Sequence, residues 1–391
     1  MHINNRQPKP KVGLIMTGGG ARAAYQVGVL RAISDLLPRD NGNPFPIICG
    51  TSAGAINAAV LAANASDFRR GVGRLMKVWK NFHVHHVYRS DPMGAIGNSL
   101  RWIFAALAGG KTTAHKPVSL LDNSPLAALL GRDLDFTAIQ RCIDAGDLAA
   151  FSVTCSGYMS AQSVTFFQGR PELQPWQRTR RIGVPMPIDI RHLMASSALP
   201  FIFPPVRINR EYFGDGSMRQ VAPVSPALHL GADRLLVIGV GRQLQRHPAE
   251  RIAADHYPSL AQIAGHALDS IFLDSLEIDL ERLQRINRTI ELIPGEILEK
   301  TNYPLHHVDF RLLSPSEELG KIAAAHIDAL PGTIRSLLHT VGALKRNGST
   351  LLSYVLFEKS YCRALMGLGY RDTMERKDDL LAFFGHDNPP P

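Results

Sequence analysis

Pro46-Ile47-Ile48-Cys49-Gly50-Thr51-Ser52-Ala53-Gly54-Ala55-Ile56-Asn57-Ala58-Ala59-Val60-Leu61 joins a short apolar run to an alanine-rich one through a G-x-S-x-G turn. The first run reads as a strand and the second as a helix. A serine on a sharp strand-to-helix turn projects its hydroxyl clear of the backbone, and Gly50 and Gly54 carry no Cβ to crowd it. Ser52 is therefore a candidate nucleophile for acyl transfer, with Gly50, Thr51 and Gly54 forming its elbow. An ordinary glycine-rich turn can carry the same letters, so the reading depends on what surrounds it.

Upstream, Lys11 to Met16 reads as a buried strand that runs into Thr17-Gly18-Gly19-Gly20-Ala21-Arg22. Tyr25, Val29, Ile33 and Leu36 then follow at helical spacing. Three glycines before a helix leave backbone N–H groups unblocked at the positive end of the helix dipole. Such a turn suits a phosphate or the oxyanion of a tetrahedral intermediate. Gly18, Gly20 and Ala23 also fit a dinucleotide fingerprint. That fingerprint wants an acid about 20 residues on, at the end of the second strand. Here Asp40 lies in a Pro/Asn/Gly loop, and the next strand ends in Cys49-Gly50.

Downstream, Phe213-Gly214-Asp215-Gly216-Ser217 follows a short strand-like segment. Asp-Gly alone is a common hairpin turn. The three motifs together, in this order, resemble those of the patatin-like phospholipase family. That family pairs a G-G-G-x-[KR] loop, a G-x-S-x-G elbow and a later D-G-[GA] motif. Here these are Gly18 to Arg22, Gly50 to Gly54, and Asp215-Gly216-Ser217. Ala195-Ser196-Ser197-Ala198-Leu199-Pro200 looks like the family's A-S-x-x-x-P block, and Ser119 to Leu126 like a common intervening segment. The resemblance covers residues 11–240. Thr17 stands where many members have aspartate, Ala23 where glycine is usual, and Ser217 where glycine or alanine is usual.

The resemblance implies an α/β, three-layer patatin-like fold with a mostly parallel central sheet. It also implies a Ser52–Asp215 catalytic dyad. Gly18, Gly19 and Gly20, with the Ala53 amide, would form the oxyanion hole. Arg22 would stabilise that loop or attract a lipid phosphate, with Gly214 and Gly216 supporting the base. The implied activity is serine acyl hydrolysis of lipid esters, of phospholipase A or lysophospholipase type, with no cofactor and no metal. Elementary chemistry agrees with such a dyad. A serine hydroxyl is a poor nucleophile until a base takes its proton, and a carboxylate within hydrogen-bond reach can do so.

Two other readings stay open. One is a neutral-lipid or thioester hydrolase with a Ser-Asp-His triad, using His229, His247 or His256. Only one clear strand precedes Ser52, where that fold places several. The other is a catalytically weak lipid-binding or regulatory protein on the same fold, a reading fed by Thr17 and Ser217.

The chain has 391 residues, a net charge of +9 and four scattered cysteines. The cysteines (Cys49, Cys142, Cys155, Cys362) read as free thiols of a reducing compartment. His83, His85 and His86 lack further ligands nearby, so they read as packing or surface residues. No run of 18 apolar residues exists, and Met1 to Lys11 lacks a signal-peptide core. The expected setting is cytoplasmic with peripheral membrane association. The positive charge, sharpest at Arg178, Arg180 and Arg181, suits an anionic membrane surface, and no nucleic-acid motif accompanies it.

The expected organisation is a flexible N-terminus (1–10), a catalytic core (11–240), a completion of the core with a long helix (241–315), and a helical C-terminal extension (316–391). Strands are expected at 151–155, 163–167, 234–240 and 289–293, and one amphipathic helix over 259–286. The acids of that helix (Asp269, Asp274, Glu277, Asp279) read as its solvated face. The segment 99–108, with Trp102 and Phe104, reads as either a lid or a core helix. The apolar stretch around Leu351 to Phe357 suits the core, a homodimer contact or lipid.

Overall fold

The computed structural model describes residues 10–89, 119, 121–242, 257–300, 306–340, 342–343 and 348–386. The proposed lid segment 99–108, His247 and His256 lie outside the described residues.

A ten-stranded mixed sheet forms the middle layer. Its strands are β1 (Val12–Met16), β2 (Ile47–Thr51), β3 (Ala150–Gly157), β4 (Ser163–Gly169), β5 (Trp176–Arg178), β6 (Arg181–Pro185), β7 (Val206–Ile208), β8 (Glu211–Asp215), β9 (Arg234–Ile238) and β10 (Asp309–Leu313). The order is β10-β9-β1-β2-β3-β4-β6-β5, and β10 through β3 run parallel. β1 is buried along its whole length, as a central parallel strand must be when helices cover both faces.

The strand period of two sorts the core into two halves. Leu14, Met16, Ile48, Leu236 and Ile238 face one layer, with helices α1 (Ala24–Leu36), α2 (Ala53–Ala62) and α3 (Phe68–Lys80). Ile15, Ile47, Cys49, Leu235 and Val237 face the other, covered by helices Ser225–His229 and Ser275–Glu291. α1 ends at Leu36 because Leu37, extended at ψ 149, precedes Pro38. α3 starts where Asp67 accepts the Arg70 N–H at 2.9 Å.

The expected long helix is present but uneven. Helix Leu260–Asp269 passes through a wider π-helical turn, Ser270–Asp274, into helix Ser275–Glu291. The strand expected at 289–293 is absent, because the helix runs on to Glu291; the added strand is β10 instead. Two of the four acids are engaged within the chain, one of them half-exposed and one buried. Asp269 pairs with Arg22 at 3.1 Å, and Asp279, which is buried, accepts the Val224 N–H at 3.0 Å.

Helix Lys359–Met374 packs along α1. Leu352, Tyr354, Leu356 and Phe357 join the core shared with α1, α2 and α3. That stretch is spent on intrachain packing. Among the described residues no helix is long and apolar enough to cross a membrane.

Candidate active site

β2 ends at Thr51, and Ser52 turns the chain with φ 54° and ψ −131° into α2. A positive φ is costly for a residue with a Cβ and persists only where neighbours hold it. They do: the Ser52 N–H donates to Ser196 Oγ at 2.8 Å, and Ser196 Oγ donates to the Thr154 carbonyl at 2.6 Å. The Ala55 N–H donates to the Ser52 carbonyl at 2.9 Å.

β3 is the ruler that brings Asp215 to this turn. Thr51 of β2 pairs with Thr154, and on the same edge of β3 the next residue, Cys155, pairs with Asp215 of antiparallel β8. β2 leaves the edge where β8 arrives. The Asp215 N–H donates to the Ala198 carbonyl at 2.9 Å. The segment 195–200 thus holds both residues, the elbow through Ser196 and the acid through Ala198.

Asp215 is fully buried. Burial pushes its carboxyl up to about 6, against the lowering effect of hydrogen bonding from Ser52 and Ser217. Oδ1 accepts the Ser217 N–H at 2.9 Å, whereas Oδ2 has no partner of full hydrogen-bond geometry among the described residues. The Ser52 hydroxyl stands close enough to the Asp215 carboxyl to lower its pKa against the effect of burial.

The glycine loop lies against the same turn. A Cβ on Gly18 would come within 2.8 Å of Ser52 Cβ and 2.6 Å of both Phe272 and Ser217, so only glycine fits there. Gly20 has φ +55°, and a Cβ on it would meet the Tyr354 carbonyl at 2.3 Å. Gln26 Nε2 donates to the Thr17 carbonyl at 2.8 Å and so sets how the Thr17–Gly18 peptide is turned. Gln26 Oε1 accepts from Asn57 Nδ2 at 2.9 Å, and Asn57 Oδ1 accepts from the Trp79 indole at 2.9 Å. This buried chain ties the loop to α1, α2 and α3.

Arg22 is buried beneath the loop. It donates to Ser353 Oγ at 2.8 Å, to the Tyr354 hydroxyl at 2.9 Å and to Asp269 at 3.1 Å, and its guanidinium lies 3.8 Å from the Tyr354 ring centre. Of the two expected roles, this placement favours stabilising the loop over attracting a lipid phosphate, because the side chain is buried and its Nε and Nη1 groups donate inside the chain. Its geometry is that of a tie between the loop and the C-terminal helices.

A cavity of about 640 Å³ opens from Ser52 and Ala53 between α2, α3 and helix Ser124–Asp133. Ile56, Val60, Leu75, Trp79, Leu130 and Phe357 make its wall apolar. Volume and lining are those of a site for a largely hydrocarbon ligand.

Of the expected residues, Ser52, Asp215, Gly18 and Ala53 converge. Gly50 and Gly54 flank the elbow, and Gly214 and Gly216 flank the acid. His229 does not converge. It stacks on Trp176 of edge strand β5 with ring centres 4.9 Å apart, and burial, with Arg178 and Arg181 nearby, lowers it to about 4. Among the described residues no cluster of His, Cys, Asp and Glu has a metal-binding arrangement. Sequence reasoning passed over Gln26, Asn57, Ser196, Asp269 and Tyr354. The available signal was a polar residue inside an apolar helical run, as with Asn57 between Ile56 and Ala58.

Several known proteins are similar to this chain. A cGAMP-activated phospholipase of Pseudomonas aeruginosa is 27% identical over 218 residues, 55% of each chain. A lysophospholipase of Aspergillus terreus is 39% identical over 75 residues, 18% of this chain and 5% of that protein. The chain thus aligns with about half of the first relative and a small part of the second. Among solved structures, human GIVD cytosolic phospholipase A2 gives a TM-score of 0.43 at 14% identity, over 97% of this chain and 59% of that one. VipD from Legionella pneumophila gives 0.35 at 12% identity, over 95% and 67%. The sequence model of the patatin-like phospholipases matches residues 14–228, more than half of the chain and all three motifs, and the chain belongs to that family.

Proposed function

We propose that this protein is a serine acyl hydrolase of lipid esters, acting on phospholipids or lysophospholipids. Ser52 Oγ attacks the ester carbonyl and passes its proton to Asp215. The Gly18, Gly19, Gly20 and Ala53 amides donate to the oxyanion that forms. On collapse the leaving alcohol takes the proton from Asp215, and the acyl group stays on Ser52 as an ester. Water then loses its proton to Asp215, attacks that ester and releases the fatty acid as Ser52 is reprotonated. The acyl chain lies in the apolar cavity throughout, which keeps bulk water from the acyl-enzyme.

One observation carries this reading: β3 pairs with Thr51, just before Ser52, and with Asp215, a buried and half-satisfied carboxylate, at successive register positions, and Ser52 lines an apolar cavity. Gly18 against Ser52 supports the oxyanion role, because its backbone approaches the reacting hydroxyl with no side chain between. Ser217, where the family usually has a smaller residue, donates to Asp215 and is compatible with the acid's role as base.

The test is covalent labelling by a fluorophosphonate together with fatty-acid release from mixed phospholipid vesicles. Wild type is expected to label and to release fatty acid, and Ser52→Ala to do neither. Labelling that persists in Ser52→Ala would sink the assignment of the nucleophile. A wild type that neither labels nor hydrolyses would favour the lipid-binding alternative.

A further inference from the structure

The residues of α2 that line the cavity recur at a helical spacing. Ser52 and Ala53 come first, then Ile56 and Asn57, then Val60, then Asn64. Side chains so spaced share one face of a helix. The cavity is therefore a groove that runs along the axis of α2, starting at Ser52. α3 lies antiparallel beside α2 and adds to the floor. The Trp79 indole donates to Asn57 Oδ1 at 2.9 Å, near the Ser52 end. At the other end a Cβ on Gly71 would come within 3.2 Å of Asn64 Cβ. Leu75, which also lines the cavity, is midway between Gly71 and Trp79 and so level with Val60. Leu129 and Leu130 of helix Ser124–Asp133 add a further apolar wall.

Polar groups bound this floor at its edge and its end. Asn57 lies on it but is spent, because its amide is engaged with Gln26, the Ala23 carbonyl and Trp79. Arg74, Lys77 and Asn81 line the cavity from the exposed edge of α3, so a hydrocarbon chain that leaves the floor sideways meets charge and water. The stripe on α2 closes at Asn64, whose amide donates to the Val60 carbonyl at 2.7 Å. The next residue of the chain to line the cavity is Arg74. Apolar lining on α2 thus has a definite far end, with Val60 as its last aliphatic side chain. Val60 is half-buried, packed against the core on one side and open to the groove on the other.

The length of the floor follows from helix geometry. At a rise of about 1.5 Å per residue, Val60 stands about 12 Å along the groove from Ser52, and Asn64 about 15–18 Å. Three backbone bonds of an extended chain span at most about 3.6 Å, so each bond advances about 1.2 Å. A straight acyl chain bonded at Ser52 would reach Val60 with about ten carbons and Asn64 with about thirteen to fifteen. Each methylene laid on the floor leaves water, which should strengthen binding up to about fourfold per carbon. Past Asn64 that gain stops, because the chain meets polar groups in place of aliphatic ones.

We propose that the α2–α3 groove is a chain-length ruler that selects esters of straight acyl chains of about ten to fifteen carbons, with Val60 as the residue that sets the limit. The inference rests on the lipid-ester reading and names the acyl part of its substrate. A larger side chain at Val60 would fill the groove at that depth and leave the carbons beyond it no floor. A smaller one would open the floor to longer chains.

The experiment measures kcat/KM of the full chain on p-nitrophenyl esters with straight acyl chains of four to eighteen carbons, in one neutral detergent. In parallel it follows displacement of a fluorescent fatty acid by saturated fatty acids of the same lengths. Wild type, Val60→Phe and Val60→Ala are compared, with the thermal melt of each. In wild type both series are expected to rise with length and to break at about ten to fifteen carbons. Val60→Phe should bring the break to about ten carbons or fewer and cut the ratio of fourteen-carbon to eight-carbon turnover about tenfold or more. Val60→Ala should shift the break the other way and raise the ratio of sixteen-carbon to twelve-carbon turnover by about threefold. If Val60→Phe melts early from overpacking, Val60→Ala decides alone. A rise that continues to eighteen carbons, or a break that Val60→Ala leaves in place, overturns the proposal. A wild type that cleaves no ester but binds fatty acids with the same break sinks the hydrolase reading and leaves the ruler standing. One that cleaves every length alike, with all fatty acids displacing the probe equally, sinks the ruler and leaves the hydrolase reading standing.

Discussion

The glycine loop lies between two walls of different origin. On one side stand α1, α2 and α3, built within residues 24–80 and tied to the loop by Gln26, Asn57 and Trp79. On the other stand Phe272, Ser353 and Tyr354, more than 200 residues away in the chain and tied to the loop by Arg22 and Asp269. The first wall includes the helix that follows the proposed nucleophile, Ser52, and one side of the cavity. The second contributes no reacting atom, yet it occupies the space behind Gly18 and Gly20. The family match ends at residue 228, so the second wall belongs to the part of the chain beyond it. The difference teaches that the proposed reacting groups are local to the motifs, while the loop beside them is also shaped by residues far beyond them in the chain.

The comparison is broken or sharpened by four measurements, in order of expected size. Asp215→Asn removes the proposed base and should lower kcat by about 10²–10⁴ with Ser52 still present. A loss below about tenfold would show that another group takes the proton. Gly18→Ala touches both walls at once, since its Cβ would press on Ser52, Ser217 and Phe272. Displacement of the loop amides should reduce kcat by about 10²–10³ while KM changes little.

The third is the pH profile of kcat/KM. Burial raises Asp215 to about 6, and the base must be ionised to act. Activity should therefore be full above that value and fall about tenfold per pH unit below it. A profile flat down to pH 4 would mean that the carboxyl is better solvated than its burial implies. The same shift bears on stability with a definite sign. A carboxyl whose folded pKa is raised takes up its proton more readily folded than unfolded, so this residue favours the fold at low pH. That contribution is lost as pH rises from the unfolded value through about 6.

The smallest effect is expected at Arg22→Ala, which severs the second wall from the loop. Loss of charge-assisted hydrogen bonds to Ser353, Tyr354 and half-exposed Asp269 should cost about 2 kcal/mol of stability, read as a lowered midpoint in urea. Activity at low temperature should fall less than in Gly18→Ala. Arg22→Lys should not restore it, because one ammonium cannot reproduce three divergent donors and a ring contact. A fall in activity as large as that of Gly18→Ala would place the second wall on a par with the first.

The residues of the site were unevenly legible. Ser52 and the glycine loop announce themselves because strand, turn and helix are contiguous, and each needs glycines for steric reasons visible in the letters. Asp215 is readable only together with the other motifs, since Asp-Gly is also a plain hairpin turn. Ser196 lies in the block Ala195 to Pro200, but nothing in its neighbours says that it bridges the Ser52 amide to β3. Arg22 was readable as a loop residue and not as a buried one. Its partners Asp269 and Tyr354 lie where the letters suggest a solvated helix face and an apolar stretch of several uses. The π-helical turn, the end of the long helix at Glu291 and the destination of the C-terminal helices depend on packing across the sheet, which local periodicity does not encode.

By itself, the sequence determined the strand–turn–helix order around Gly18 and Ser52, the continuous apolar run that buries β1, the sharp turn at Ser52 and the chemistry of a serine beside a glycine loop. These follow from interactions within a few residues: strand period, helix period and the missing Cβ atoms of Gly18 to Gly20. Only the tertiary structure decided that β3 carries Asp215 to Ser52, that the cavity runs along α2 and α3, and that Arg22 faces inward. Those outcomes rest on pairings between segments far apart in the chain, whose register is set by burying both faces of one sheet.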